Sequence, residues 1–310
     1  MSKPLSISNL LKRLKPFMET AIECTFEPST RYECCVRASL SKAYELACEA
    51  HARKKSRISF FLVPSLRSVC EDVIVLGFMA KIEVAERDEL AQLLTMHELR
   101  DRFAVQAAFF DAVRPDQPIL RLKDTSLEEI EDRIRDIWKG NGWPGLRKRY
   151  MPSTRQIAEK HHLDLLTTVY DYLYRLTSGM VHFNPQVLLR SGWGEDPINV
   201  KFSPRNFDAY YLAFAQIYSL FLLCLYFELF GALLGISDKE ISIVQQIRER
   251  LLEHPRWPEM VTYEEMNKSP PTGQEILRML MRVHSAERYK DGFLVSRELV
   301  ATTHLQDTAV

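Results

Sequence analysis

The amino-acid sequence predicts an all-α protein built as a multi-helix bundle. Apolar residues recur at spacings of three and four through most of the 310-residue chain, which places them on one face of a helix. Helix-start signals precede many of these segments, and clusters of Gly, Pro, Asn and Ser separate them. Both observations favour helices joined by short connections.

The helical spacing defines the predicted elements in chain order. They cover residues 10–22, 32–52, 62–82, 86–113, 127–138, 157–181, 207–234, 241–252 and 276–283. Several should begin with a capping box, in which a hydroxyl and a Glu or Gln side chain three residues later bond reciprocally to the backbone. The candidate boxes are Thr30 with Glu33, Ser126 with Glu129, Ser153 with Gln156, Ser237 with Glu240, and Thr272 with Glu275.

The chain offers little β structure. At most one small hairpin is expected near residues 187–202, with strands at 187–190 and 198–202 on either side of "SGWGEDP". Residues 1–253 are predicted to form the helical core domain. Residues 254–310 are more polar and contain prolines, so we expect a C-terminal helical appendage there.

Composition narrows the classes of partner and cofactor. Forty-one basic residues balance forty-one acidic ones, so no net charge draws the whole chain to nucleic acid or to a membrane. Six cysteines without a CxxC pair, and an N-terminus without a secretory signal, favour a cytoplasmic protein with reduced thiols. His161 and His162 are adjacent and cannot easily chelate one ion, and phosphate-loop motifs are missing, so we expect no metal and no cofactor.

Residues 209–235 form the longest apolar segment, "AYYLAFAQIYSLFLLCLYFELFGALLG". About 20 such residues can span a bilayer. The segment contains Gln216, Ser219 and Glu228, and its ends lack the basic flanks that fix a membrane orientation. A buried central helix is the preferred interpretation, with a membrane span at residues 210–230 as the alternative.

One short stretch, "DYLYRLTSGMVHFNP" at residues 171–185, places polar side chains in an apolar helix. Asp171, Arg175, Ser178 and His182 follow at spacings of four, three and four, so they should form one stripe, with Tyr174 at its border. The helix should end near residue 183, because Asn184 precedes a proline. A separate apolar seam is predicted from Leu166, Val169, Leu173, Leu176 and Met180.

The stripe has a chemical and a structural interpretation. Arg175 could hold a phosphate, and His182 could transfer a proton in the cleavage of RNA by its own 2′-hydroxyl. Asp171 is placed to orient Arg175. Alternatively, Asp171 and Arg175 are a plain ion pair, Ser178 bonds back to a carbonyl, and His182 caps the helix.

A second helix supplies possible partners for this stripe. The segment "FFLVPSLRSVCEDVIVLGFMA" is apolar nearly all round, so it should be buried. Arg67 and Glu71 within it then need polar partners. We expect them to pair with each other and to face the stripe, either as a buried network that fixes helix register or as part of an active site.

The sequence "RLTSGMVH" resembles the Rx4-6H motif of the HEPN superfamily, with Arg175 and His182 at the motif positions. The resemblance implies a HEPN-like helical fold and a metal-independent endoribonuclease of a bacterial defence or toxin-type system. It also implies a homodimer in which these two residues of both protomers form a composite site, and a possible partner protein. Leu176 stands where such nucleases often carry asparagine.

A second resemblance, over roughly residues 30–235, is to a bacterial family of unknown function with an RxxxE helix and a YxxxSxxxH helix. The matching residues are Arg67 and Glu71, then Tyr174, Ser178 and His182. The alternative function is therefore a non-catalytic binding, sensor or regulatory subunit in which these residues form a polar network.

Overall fold

A computed structural model describes residues 7–23, 25, 27, 30–52, 59–123, 126–146, 149–160, 164–193 and 200–259. Over these residues the predicted all-α fold is confirmed, with one two-stranded ribbon. The α-helices are α1 (Ile7–Ile22), α2 (Arg31–Ala52), α3 (Leu62–Met79), α4 (Val84–Val113), α5 (Glu128–Gly140), α6 (Thr154–Lys160), α7 (Asp164–Val169), α8 (Arg175–Val181), α9 (Pro185–Arg190), α10 (Asp208–Phe230) and α11 (Asp238–Leu252).

Helix α10 is the centre of the bundle. It packs against α2, α3 and α11, and α1 also touches it. By length and composition α10 could cross a membrane, but 67% of its most apolar 18-residue window is buried inside the protein. Its polar side chains have partners: Gln216 donates to the Ala50 carbonyl at 2.9 Å, and Glu228 pairs with Arg248 at 2.9 Å. The predicted buried central helix is therefore confirmed.

A polar cluster ties α2, α3 and α10 together inside this core. The Ser39 hydroxyl donates to Asp72 Oδ2 at 2.6 Å and is also hydrogen-bonded to the fully buried Tyr226 hydroxyl. Lys42 pairs with the same carboxylate. The Asp72 carboxylate is partly buried, with its side chain 28% exposed, and these donors satisfy it, so the cluster fixes the register of three helices.

The helix starts follow the predicted capping boxes in two of the described cases. At α11, Ser237 and Glu240 form the complete reciprocal box. Before α6, the Ser153 amide donates to Gln156 Oε1 at 2.9 Å, and the Gln156 amide donates to Ser153 Oγ at 3.3 Å.

Two predicted boxes are wrong, and one cannot be compared. Helix α5 has Leu127 as its N-cap without a side-chain cap, one residue later than Ser126 requires. The Thr30 hydroxyl donates to the Thr25 carbonyl at 2.8 Å, while Glu33 pairs with Arg37. The box at residues 272–275 and the helix at 276–283 lie outside the described residues.

The hairpin is smaller than predicted. Strands β1 (Gly192–Trp193) and β2 (Lys201–Phe202) pair antiparallel, with Gly192 opposite Phe202. The predicted strand at 187–190 is wrong: Asn184 caps the start of α9, and Pro185 occupies its first turn, where proline favours a helix. Trp257 packs against α10. The predicted appendage at 254–310 stays a prediction, because residues 260–310 are not described.

Candidate functional site

The site is carried by one helical segment that contains a π-helical turn. Helix α7, a π segment at Tyr170–Tyr174 and helix α8 follow one another without a break. Within the π segment the Arg175 amide bonds to the carbonyl of Tyr170, five residues earlier. Such insertions of one residue into a helix occur frequently at functional sites.

The π segment shifts the buried face by one residue. Leu166, Val169 and Leu173 are buried as predicted, but the next fully buried side chain is Thr177. The predicted seam residues Leu176 and Met180 are only partly buried. The extra residue in the π turn rotates everything after it, so a seam drawn with 3.6 residues per turn fails there. The Thr177 hydroxyl donates a hydrogen bond to the Leu173 carbonyl at 2.7 Å.

The polar side of the same segment lines an open pocket of about 300 Å³. Three residues of the predicted stripe, Arg175, Ser178 and His182, lie in its wall, together with Tyr174. Asp171 is not part of the lining, and Tyr170 takes that place. The complete lining is Tyr170, Tyr174, Arg175, Ser178, Gly179, His182, Phe183 and Asn184.

Both predicted catalytic side chains are open to solvent. The Arg175 side chain is 67% exposed, and its nearest carboxylate, Asp171, lies 3.6 Å away and is also exposed. An exposed ion pair of this kind is weak, so the guanidinium is free to take another anion. The His182 side chain is exposed too. Among the described residues its hydrogen bond comes from the backbone, whose amide donates to the Ser178 carbonyl at 3.1 Å.

Helix α8 ends where the Asn184–Pro185 pair predicts. His182 is the C-cap residue, with extended backbone angles (φ −95°, ψ 159°), so it stands at the rim where the chain turns. Asn184 accepts from the Gln186 amide at 3.0 Å and so starts α9. The junction of α8 and α9 therefore holds the histidine between two capped helix ends.

Gly179 is explained by a close approach. A Cβ atom built at this position would lie 3.0 Å from Asn184 Nδ2. The carboxamide thus lies over the glycine on the pocket wall. Glycine costs roughly 1 kcal/mol against alanine inside a helix, and the space it leaves for Asn184 accounts for its presence.

Arg67 and Glu71 stand behind the pocket and do not line it. Arg67 Nη2 donates to the Tyr174 hydroxyl at 2.9 Å, and the guanidinium carbon lies 4.9 Å from the centre of that ring. Glu71 is 3.5 Å from Arg67 and accepts from the Thr154 hydroxyl at 2.9 Å. The predicted contact between the two helices exists, through Tyr174, whereas Ser178 is not a partner of the Arg67–Glu71 pair.

This ion pair is half-buried, where the sequence predicted full burial. The Arg67 side chain is 23% exposed and that of Glu71 is 38% exposed. The apolar pattern of α3 therefore overestimates the burial of these two side chains. Tyr174, which touches Arg67 on one side and lines the pocket on the other, connects the two groups of residues.

Three pocket residues escaped the sequence analysis as functional candidates: Tyr170, Phe183 and Asn184. Tyr170 stacks on Tyr174 with ring centres 4.9 Å apart. The pKa of the Tyr170 phenol is raised, chiefly by burial, so it stays neutral at physiological pH. Phe183 is 87% exposed beside His182. In the sequence, the aromatic residue directly after His182 was the feature that could have indicated this part of the pocket.

No group of three or more His, Cys, Asp or Glu side chains that could hold a metal occurs among the residues that the structure describes. His161 and His162, which the sequence analysis excluded as a chelating pair, lie outside those residues.

Comparison with known proteins gives one match. Residues 63–199 match the model of a family described as "Family of unknown function (DUF5677)". The match includes both the Arg67–Glu71 helix and the Tyr174–His182 segment, in agreement with the predicted resemblance to a helical family of unknown function. No curated protein and no solved structure matches the chain.

Proposed function

We propose that this protein is a metal-independent endoribonuclease that cleaves RNA by attack of a 2′-hydroxyl on the neighbouring phosphodiester. The observation that supports the proposal is the placement of Arg175, Ser178 and His182 in the wall of one open pocket. Arginine and histidine are the residue types that this reaction needs for charge and for proton transfer.

In the proposed reaction, the 2′-oxygen forms a bond to phosphorus and the bond from phosphorus to the 5′-oxygen breaks. His182 accepts the proton of the 2′-hydroxyl, and the departing 5′-oxygen takes a proton from water or from an imidazolium. Arg175 donates hydrogen bonds to the phosphate oxygens, on which negative charge accumulates. The products are a 2′,3′-cyclic phosphate and a free 5′-hydroxyl.

Further pocket residues suit a single-stranded RNA. Phe183 presents an exposed ring beside His182, and such rings stack on nucleobases of any sequence. Asn184 lines the pocket with a carboxamide, the group that HEPN nucleases often place beside the motif arginine. Leu176, which occupies that sequence position here, is partly buried against the core. Asn184 can therefore supply a hydrogen-bonding group that Leu176 does not.

The wider setting follows from the resemblance to HEPN proteins. In this proposal the protein is a cytoplasmic enzyme of a bacterial defence or toxin-type system, active as a homodimer and associated with a partner protein. In that arrangement Arg175 and His182 of two protomers would share one composite site.

A second candidate function is a non-catalytic binding, sensor or regulatory subunit. The contacts of Arg67 with Tyr174, and of Glu71 with Thr154, favour it, because they join α3, α6 and the π segment as a purely structural network would. In this case the pocket would bind an anionic ligand without cleaving it.

The two functions are separated by incubating the purified full-length chain with RNA and a chelator. We expect the wild-type protein to cleave, and Arg175→Ala and His182→Ala to reduce the rate about 100-fold or more. Arg250→Ala is the matched control, because Arg250 is 61% exposed and also has one exposed carboxylate partner, Glu253. This control should cleave like wild type.

Identical RNA profiles for wild type and His182→Ala would contradict the nuclease proposal. RNA binding that depends on Arg175, without any cleavage, would instead support the binding subunit. Loss of cleavage in Arg250→Ala as well would show that the effect does not come from the pocket.

A further inference from the structure

Helix α4 extends far beyond the bundle. It runs over 30 residues, yet its last buried side chain is His97. The remaining sixteen residues, at 1.5 Å each, make an arm about 24 Å long. A helix without a packed face is costly in water unless its apolar side chains have another partner.

The returning chain covers one side of this arm. The Gln106 side chain donates to the Leu120 carbonyl at 3.3 Å, and Arg121 pairs with Asp111 through two bonds of 3.1 and 2.5 Å. Arg100 donates to the Ser126 carbonyl at 2.7 Å. Residues 114–123 therefore lie back along α4 and partly shield Phe103 and Phe110.

The opposite side is an exposed apolar stripe. Its members recur at spacings of three, one, three and one, the pattern of a helix face that packs against another element. All of them are exposed, with Val105 at 60%, Phe109 at 56% and Val113 at 59%. The stripe consists of Val105, Ala108, Phe109, Ala112 and Val113.

We propose that this stripe is where a second copy of the chain docks, with the two α4 arms antiparallel. Spacings of three, four and three are typical of the seam between two helices. On this arm they connect Arg102, Val105, Phe109 and Ala112. The small side chains of Ala108 and Ala112 flank Phe109, so the ring of one arm has room against the other arm.

Charges at the two ends of the seam favour a second copy in the antiparallel direction. Arg102 stands at one end with its side chain 80% exposed, 3.6 Å from the exposed Glu98, and an exposed pair of this kind is weak. Asp116 stands in the turn just after the other end. A two-fold axis near Phe109 brings Arg102 close to the partner's Asp116, and the same pair forms again on the other side of the axis. A parallel pair would place like charges together.

The proposal is tested by sedimentation of the full-length chain over a range of concentrations. We expect wild type to dimerise, and Phe109→Glu to weaken association at least about tenfold. Leu252→Glu is the matched control, because Leu252 is 59% exposed on α11 and should leave association unchanged. Circular dichroism shows whether each variant is folded.

A charge exchange tests the direction. Arg102→Asp alone should weaken the dimer, and adding Asp116→Arg to the same chain should restore it. A monomeric wild-type chain, or a dimer that Phe109→Glu leaves intact, would overturn the proposal. Failure of the double variant to restore association would overturn the antiparallel arrangement. The stripe shares no residue with the pocket, so this contact is distinct from the composite site of the proposed nuclease. A chain that dimerises through the stripe without cleaving RNA would contradict the nuclease proposal alone.

Discussion

The energy of the contact between Arg67 and Tyr174 can be predicted, because one atom, the Tyr174 hydroxyl oxygen, accepts the hydrogen bond. The change Tyr174→Phe removes the hydroxyl that accepts from Arg67 at 2.9 Å and keeps the ring. Hydrogen bonds to charged groups contribute about 1.5–3 kcal/mol. Arg67 is 23% exposed, so water replaces part of the loss, and we expect the free energy of unfolding to fall by about 1–2 kcal/mol.

Urea denaturation of four proteins measures this energy: wild type, Tyr174→Phe, Arg67→Met and the double variant. In this cycle the sum of the two single losses of stability should exceed the loss in the double variant by about 1–2 kcal/mol. Once one partner is removed, the second change takes nothing further from the pair. Tyr170→Phe is the control. Its hydroxyl has no hydrogen bond to the part of the chain that the structure describes, and its ring stacks on Tyr174. This control should change stability by less than about 0.5 kcal/mol.

Additive single effects, with a coupling below about 0.3 kcal/mol, would refute the contact. The same would follow if Tyr170→Phe destabilised the protein as much as Tyr174→Phe. In either case Tyr174 would not be the residue that links the ion pair of α3 to the pocket.

Two further changes test the helix ends. Ser237→Ala should cost about 1 kcal/mol in urea denaturation. The hydrogen bond from Ser237 lowers the pKa of Glu240 below its ordinary 4.5, so this contribution is present above that value and disappears as the pH falls through the folded-state pKa. An equal loss at acidic pH would contradict the box. Gly231→Ala should destabilise by about 1–3 kcal/mol, because the new Cβ would overlap Ile241, whereas Gly140→Ala meets nothing within 4 Å and should be neutral or stabilising. Similar melting temperatures for both glycine variants would contradict this packing.

Periodicity predicted the long helices because each buries one face, and a buried face leaves a spacing that can be read directly. The same argument failed within the π segment. A pattern of apolar spacings does not reveal its one-residue insertion. Thr177 was therefore missed as a core residue, and the burial of Leu176 was overestimated. Tertiary packing, which the sequence does not display, decides such insertions.

The candidate site was predicted as a stripe, and most of it lies together. Helical spacing was enough to group Arg175, Ser178 and His182, because the helix is regular after residue 174 up to its C-cap. Asn184 was interpreted solely as a helix stop, although the residue that ends one helix also caps the next and reaches back over Gly179. The exposure of the α4 arm was not predictable either, because an apolar spacing shows that a face exists and not what covers it.

The proposed cleavage of RNA through its 2′-hydroxyl at the pocket of Arg175 and His182 leaves chemically distinct ends. Mass spectrometry of the RNA ends, formed by the full-length protein in the presence of a chelator, tests it most directly. We expect 2′,3′-cyclic phosphates at the new ends, formed by wild type and not by His182→Ala. New ends that carry a 3′-hydroxyl and a 5′-phosphate, or cyclic ends produced equally by His182→Ala, would contradict it.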